Sequence, residues 1–178
     1  MGVTEKLYAP GAVRFLAALV PFLCGLAGVF IANIPVSFVG GVVPAPLLGL
    51  VPIYFWCLVR PDLMTPAAAF AIGVLEDVMS GAPPGVWTLS FVLSYALVSR
   101  QRESFAGLAG LGAILGFAAA AFAAIAAAYT IVAIYYGYMP PLGPVVAQLA
   151  MTVAAYIPVT YVVATIHHRV VGPLRSDF

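Results

Sequence analysis

Two long stretches without a charged residue constrain the fold of this chain more than any other feature. They run over residues 15–59 and 104–168, and the whole sequence is 64% hydrophobic and 7% charged. Such a composition excludes a soluble domain and a disordered tail, and it indicates an integral membrane protein. The net charge of +1 also argues against nucleic-acid binding, which requires a clustered basic surface.

Six apolar segments predict six transmembrane helices, since a helix needs about 20 residues to cross about 30 Å of hydrocarbon. The segments cover approximately residues 15–34, 44–59, 65–80, 84–99, 107–136 and 144–167. The first is too long for the apolar region of a cleaved signal peptide, so we expect it to be retained as a span. We therefore expect an all-α integral membrane protein, a compact bundle of six helices in a single polytopic domain over residues 1–178.

The basic residues predict the orientation of these spans, because cytoplasmic loops hold the excess of Lys and Arg. With six spans and a cytoplasmic N-terminus, all seven basic residues fall in cytoplasmic segments. They are Lys6, Arg14, Arg60, Arg100, Arg102, Arg169 and Arg175. Both termini are therefore expected in the cytoplasm.

Aromatic residues near the ends of the segments are expected to anchor the helices at the membrane interfaces, where amphipathic rings prefer to lie. The inner end of the second segment carries Tyr54, Phe55 and Trp56, and the outer ends carry Trp87, Tyr135, Tyr136 and Tyr138.

The fifth segment carries a stripe of small residues at every fourth position. Its members are Gly112, Gly116, Ala120, Ala124 and Ala128. Such a stripe predicts close packing with another helix backbone. The partner is either another span of this chain, which we favour, or a different protein.

Glu76 and Asp77 lie side by side in the third apolar segment. An acid at the centre of a membrane helix costs on the order of 2.5–3.5 kcal/mol on insertion scales, so it indicates a functional or structural role. Every basic residue is expected on the opposite side of the membrane. A hydroxyl group or the free backbone amides at the start of the fourth span, just after Gly85, are therefore the expected partners of Asp77.

Helical spacing separates the two acids. Asp77 shares a face with Gly73 and Gly81, whereas Glu76 is rotated by about 100°. We expect the Asp77 face to be the packed one. Two interpretations stay open for the pair: a cap that fixes the turn, with Glu76 in water, or a partner-binding site.

The remaining candidate residues predict no catalytic, metal or cofactor site. Cys24 and Cys57 are isolated in apolar segments, and His167 and His168 have no companion ligands. The sequence contains no Gly-rich phosphate loop and no Ser/His/Asp order. We therefore expect a protein without enzymatic activity.

The stretch PLLGLVPIYFWCLVRPDLMTPAAAFAIGVLEDVMSGAPPGVWTLSFVLSYALV resembles the rod shape-determining protein MreD family over about residues 46–99. The pattern is an aromatic-rich second span with a basic-Pro turn, then G-x-x-x-D-x-x-x-G and a further Gly. Its positions here are Trp56, Arg60, Pro61, Gly73, Asp77, Gly81 and Gly85, and Glu76 beside the acid departs from the family pattern.

The resemblance implies a non-enzymatic component of the bacterial cell-elongation machinery, multi-pass in the cytoplasmic (inner) membrane, that helps to maintain rod shape. The partners it implies are an MreC-like bitopic protein, the RodA glycosyltransferase with its penicillin-binding transpeptidase, RodZ and MreB, together with membrane lipid. It also implies a fold similar to the substrate-binding membrane subunits of vitamin transporters.

Two other functions compete with this interpretation. A substrate-binding subunit for vitamin or metal uptake would need an outward-opening polar and aromatic pocket. Its lining could come from Trp87, Tyr135, Tyr136, Tyr138 and Glu76. A membrane-bound lipid-modifying enzyme is the weaker competitor, because the sequence has no acids at a metal-binding spacing.

Overall fold

The computed structural model describes residues 11–34, 44–103 and 110–171. These residues form the helices α1 (Gly11–Ala32), α2 (Leu50–Val59), α3 (Pro66–Ser80), α4 (Val86–Arg100), α5 (Leu111–Tyr136) and α6 (Leu142–Ile166), and a π-helical turn, His167–Val171, that continues α6. The predicted all-helical class is confirmed for this part of the chain. Lys6, Arg175 and residues 107–109 of the fifth predicted span lie outside the described residues.

Two of the helices are both long enough and apolar enough to cross a membrane, namely Leu111–Tyr136 and Leu142–Arg169. Three further apolar stretches, Leu19–Ala32, Leu50–Val59 and Val86–Arg100, are shorter. The expectation of six spans is thus confirmed on length and apolarity for two of them.

The second predicted span differs most from its expected length. Its helix, α2, has 10 residues and is about 15 Å long, half the thickness of the hydrocarbon layer. Residues 44–47 are not helical, because Pro44 and Pro46 lack an amide hydrogen and Pro46 disfavours the helical conformation of Ala45. The side chain of Thr152 on α6 accepts a hydrogen bond from the Leu47 amide at 3.1 Å, which ties this segment to the bundle.

The core of the bundle forms around α2, which packs against α1, α4, α5 and α6. Seven of its ten residues are buried. The ring of Tyr54 meets those of Phe117 on α5 and Tyr156 on α6 at centroid distances of 5.4 and 6.0 Å, and the latter two rings stack at 4.5 Å. Three helices therefore meet in one aromatic cluster.

The prediction that Tyr54 and Trp56 anchor α2 at the membrane interface is wrong. Their side chains are 2% and 0% exposed. The Trp56 ring packs edge-on against His167 at 5.2 Å. Neighbouring helices surround α2 on most sides, so its aromatic residues fill the core instead of contacting headgroups. The outer tyrosines of α5 are exposed, as expected of interfacial residues.

The small-residue stripe of α5 packs inside this chain. Gly116, Ala120, Ala124 and Ala128 are buried, and Gly112 is half-buried. Helix α4 lies against α5, and its Ser94 hydroxyl donates to the Ala120 carbonyl at 3.1 Å. A side-chain donor reaches a helix backbone in this way only where the two helices approach closely.

We predict that Ala120→Leu destabilises the bundle by about 1–3 kcal/mol, because the larger side chain must displace α4. The matched control is Ala119→Leu, at an exposed position of the same helix. Thermal unfolding of the two purified variants in detergent compares them directly. Equal melting temperatures would contradict close packing of α4 on the stripe.

Candidate functional site

The turn between α3 and α4 holds most of the candidate residues. Helix α3 starts at Thr65, whose hydroxyl accepts a hydrogen bond from the Ala68 amide at 3.2 Å, with Pro66 in the first helical position. It ends at Gly81, which has a left-handed φ of 65°. Gly85 precedes α4 with a φ of 97°. Both glycines therefore stand where a residue with a Cβ would be strained.

Asp77 caps the start of α4 from one turn before the end of α3. Its carboxylate accepts the backbone amides of Gly85 at 2.9 Å, Trp87 at 2.7 Å and Thr88 at 3.2 Å, together with the Thr88 hydroxyl. The predicted contact between this acid and the start of the fourth span is confirmed. A carboxylate at a helix N-terminus is also favoured by the helix dipole.

All amides at the start of α4 have acceptors, and three of these amides bind Asp77. The one amide of the first turn that Asp77 does not bind, that of Val86, donates to the Pro83 carbonyl at 3.2 Å. The Leu89 amide then makes the first helical bond, to Gly85. In hydrocarbon each unsatisfied amide would cost several kcal/mol, so the complete set is a condition for placing a helix start near the membrane.

Gly73 lets α4 approach α3. A Cβ at this position would lie 2.6 Å from the Thr88 Cα and 3.0 Å from the Trp87 carbonyl oxygen, both of them backbone atoms. The approach brings the start of α4 within reach of Asp77, one turn further along α3. In the G-x-x-x-D-x-x-x-G pattern, Gly73 therefore provides the contact with α4, Asp77 caps α4, and Gly81 ends α3.

Glu76 is buried, so the interpretation that places it in water is wrong. Its side chain is 3% exposed, compared with 7% for Asp77. Asn33, just beyond the end of α1, donates its Nδ2 hydrogen to Glu76 Oε1 at 3.2 Å. The other oxygen, Oε2, is buried and makes no hydrogen bond within the described part of the chain.

The prediction that the Asp77 face of α3 is the packed one is therefore incomplete. Phe70, which shares that face, is 53% exposed, whereas Ala69 and Ile72 beside Glu76 are fully buried. The reason is that α3 has two neighbours: α1 covers the Glu76 side, and α4 covers the Asp77 side. Helical spacing shows which residues of α3 share a face, but it does not show how many other helices pack against α3.

The structure does not bring Trp56, Arg60 and Pro61 to the acids. They lie at the end of α2 and in the turn before α3, whereas Asp77 lies near the end of α3. The Arg60 guanidinium binds both carboxylate oxygens of Asp62, at 3.0 and 2.8 Å, and holds the pKa of that exposed carboxyl below its usual value. The Tyr95 hydroxyl, on α4, donates to the Met64 carbonyl at 3.0 Å and ties this turn to α4.

Among the residues that the structure describes, no group of three His, Cys, Asp or Glu side chains could hold a metal ion. His167 contacts aromatic rings, and Cys57 is buried.

A family model described as the rod shape-determining protein MreD matches residues 13–157. The chain belongs to the MreD family. No curated protein and no solved structure matches it. Membership of the MreD family gives the chain a role in determining rod shape and associates it with the membrane.

The residues matched by the MreD family model include the motif positions from Trp56 to Gly85 and the small-residue stripe of α5. Two residues that bind the acids were missed in the sequence, namely Thr88, which binds Asp77, and Asn33, which binds Glu76. Thr88 stands three residues after Gly85, a position whose amide a cap is expected to bind, so its spacing could have been noticed. Asn33 carried no such signal, because its contact with Glu76 joins helices distant in sequence.

We predict that Asp77→Ala destabilises the protein by at least about 2 kcal/mol, because it leaves three amides and a buried hydroxyl without an acceptor. Glu76→Ala should cost less than about 1 kcal/mol, since it removes one hydrogen bond together with a buried acid that is expensive to bury. Thermal unfolding in detergent measures both. Equal losses would contradict the assignment of the cap to Asp77.

Gly73→Ala and Gly81→Ala should differ for a geometric reason. The first substitution forces a Cβ against the α4 backbone and should cost about 3 kcal/mol, the upper end of the range for overpacking. The second meets open space and should cost about 1 kcal/mol from backbone strain alone. Unfolding by titration with a denaturing detergent ranks them, and a reversed order would refute the close approach of α4 at Gly73.

Proposed function

We propose that this MreD-family protein is a non-enzymatic scaffold of the bacterial inner membrane that docks the transmembrane helices of partner proteins and so positions peptidoglycan synthesis. The observation that carries the proposal is the family match over residues 13–157. The partner that we propose first is an MreC-like bitopic protein. The RodA glycosyltransferase, its penicillin-binding transpeptidase, RodZ and MreB are the further proposed partners.

The exposed surfaces of the two longest helices support a docking role. Large apolar side chains point away from the bundle on α5 and α6, among them Leu115, Phe122, Ile157 and Tyr161, all at least 60% exposed. In a membrane such faces contact either lipid or the helix of another protein. Because the small-residue stripe of α5 is already covered by α4, we assign docking to these outer faces.

We propose a six-span arrangement with both termini in the cytoplasm. The contacts of Met64 with Tyr95 and of Trp56 with His167 support it, because they gather the Arg60 turn and the ends of α4 and α6 at one end of the bundle. The same end carries Arg100 and Arg169, as the positive-inside rule requires of a cytoplasmic face. The short helices would then span a locally thinned bilayer or be shielded by their neighbours.

The acid pair supports the fold in this proposal and does not bind a partner directly. Asp77 already has four hydrogen-bond donors within the chain. Glu76 is covered by α1 and is only 3% exposed. Neither carboxylate is therefore available to a docking helix.

The match to the MreD family gives no support to a vitamin or metal uptake subunit. The cavity beside the outer tyrosines is lined by residues of α5 and the following turn, and its lining includes neither Glu76 nor Trp87. The residues expected to form a polar and aromatic pocket are thus separated. A lipid-modifying enzyme has no candidate metal group among the described residues.

Depletion of the protein from a rod-shaped host should make the cells round and delocalise labelled wall synthesis. Wild type and Glu76→Ala should restore the rods, whereas Asp77→Ala should restore them poorly because less folded protein reaches the membrane. Extraction in several mild detergents should retain an MreC-like partner on the wild-type protein. Rods that persist after depletion, or loss of that partner in every detergent, would overturn the proposed function.

A further inference from the structure

The two adjacent acids near the end of α3 differ in the number of donors that they meet. The Asp77 carboxylate accepts four hydrogen bonds, whereas the Glu76 carboxyl accepts one. Glu76 is nevertheless the more deeply buried of the two, at 3% exposed. A buried carboxylate is tolerated where donors or cations replace the water that it loses. The surroundings therefore suit a negative charge at Asp77 and a neutral group at Glu76.

The side-chain amide of Asn33 has no hydrogen left for the second oxygen of Glu76. Its Nδ2 group carries two hydrogens. One is donated to the Val29 carbonyl at 3.0 Å and the other to Glu76 Oε1 at 3.2 Å. Glu76 Oε2 is buried and has no hydrogen-bond partner within the described residues. Ionisation of Glu76 would therefore place negative charge on a buried oxygen that meets no donor.

The two helices that pack against α3 offer no cation to Glu76 where the structure describes them. Their titratable side chains stand at least about 10 Å of helix away from Asn33 and Thr88, the residues that contact the acids. They are Arg14 and Cys24 on α1, and Tyr95 and Arg100 on α4. The charged group beside Glu76 is Asp77, whose negative charge disfavours a second one next to it.

From these observations we infer that Glu76 is a proton-binding site, in which the proton keeps the carboxyl neutral at neutral pH and allows α1 to pack over α3. Oε1 of the neutral acid still accepts the hydrogen bond from Asn33. Loss of the proton leaves an unpaired charge between α1 and α3, which weakens their contact. The site is independent of any protein that docks on the outer faces.

A proton fits this site better than a metal ion does. A cation such as Ca²⁺ needs six to eight oxygen ligands. Within the described ranges, no group of three His, Cys, Asp or Glu side chains could hold a metal ion. The oxygens of Asp77 are already occupied by amides and a hydroxyl group of α4.

Carbon-13 NMR of the glutamate carboxyl groups tests the inference on the full-length protein in lipid nanodiscs. The sequence contains three glutamates, Glu5, Glu76 and Glu103, so labelling of glutamate gives few signals. We expect one carboxyl with the chemical shift of the neutral acid at neutral pH. Glu76→Gln should remove that signal, and the matched control Glu103→Gln, at an exposed position, should leave it.

Three ionised glutamates in the folded wild type would overturn the inference, and this result does not depend on the folding of any variant. A neutral-acid signal that persists in Glu76→Gln would overturn it as well, because the proton would then belong to another residue.

Thermal unfolding at different pH values tests whether the proton supports the contact between α1 and α3. At alkaline pH the unfolded chain has released the Glu76 proton, whereas the folded protein must still hold it, so stability is lost as the pH rises. Between neutral pH and about pH 9 the melting temperature of the wild type should fall at least about 3 °C further than that of Glu76→Gln. The amide oxygen of the variant can still accept from Asn33, but the variant has no proton to lose.

Parallel losses of stability in the wild type and Glu76→Gln would contradict the inference. Stabilisation of the wild type, but not of Glu76→Gln, by added Ca²⁺ would also contradict it, because the ligand would then be a metal ion.

Discussion

The cap that Asp77 provides for α4 is the interaction on which the arrangement of the bundle depends. One carboxylate satisfies three backbone amides and a hydroxyl, and it does so from the neighbouring helix, so α3 and α4 cannot separate without exposing four donors. In water this loss would be partly compensated, whereas in hydrocarbon it would not. Gly73 makes the contact possible by letting the backbone of α4 come close.

The other helices pack around the pair formed by α3 and α4. Helix α4 presents Ser94 to the small stripe of α5, and α1 closes over the other side of α3 through Asn33 and Glu76. The inward faces of these helices are therefore buried against other helices of the same chain. What is left for partners are the apolar outer faces of the long helices, which fits a scaffold in the membrane better than a binding protein with a polar pocket.

Local rules were sufficient for part of this structure. The α5 stripe and the partner of Asp77 follow from helix period, capping chemistry and the absence of a nearby cation. The failures concern residues whose surroundings come from distant segments. Trp56 was expected at the membrane interface because it ends an apolar segment, but four neighbouring helices bury α2. One of the two interpretations placed Glu76 in water, because nothing local indicates that α1 covers it.

Amide hydrogen exchange at the start of α4 tests the central claim most directly. Exchange rates of the Gly85, Trp87 and Thr88 amides should be compared between the wild type and Asp77→Ala in detergent micelles. The account predicts that these three amides lose most of their protection in the variant while amides in the middle of α5 keep theirs. Unchanged protection at the start of α4 would show that its amides are satisfied without Asp77, and it would contradict the account.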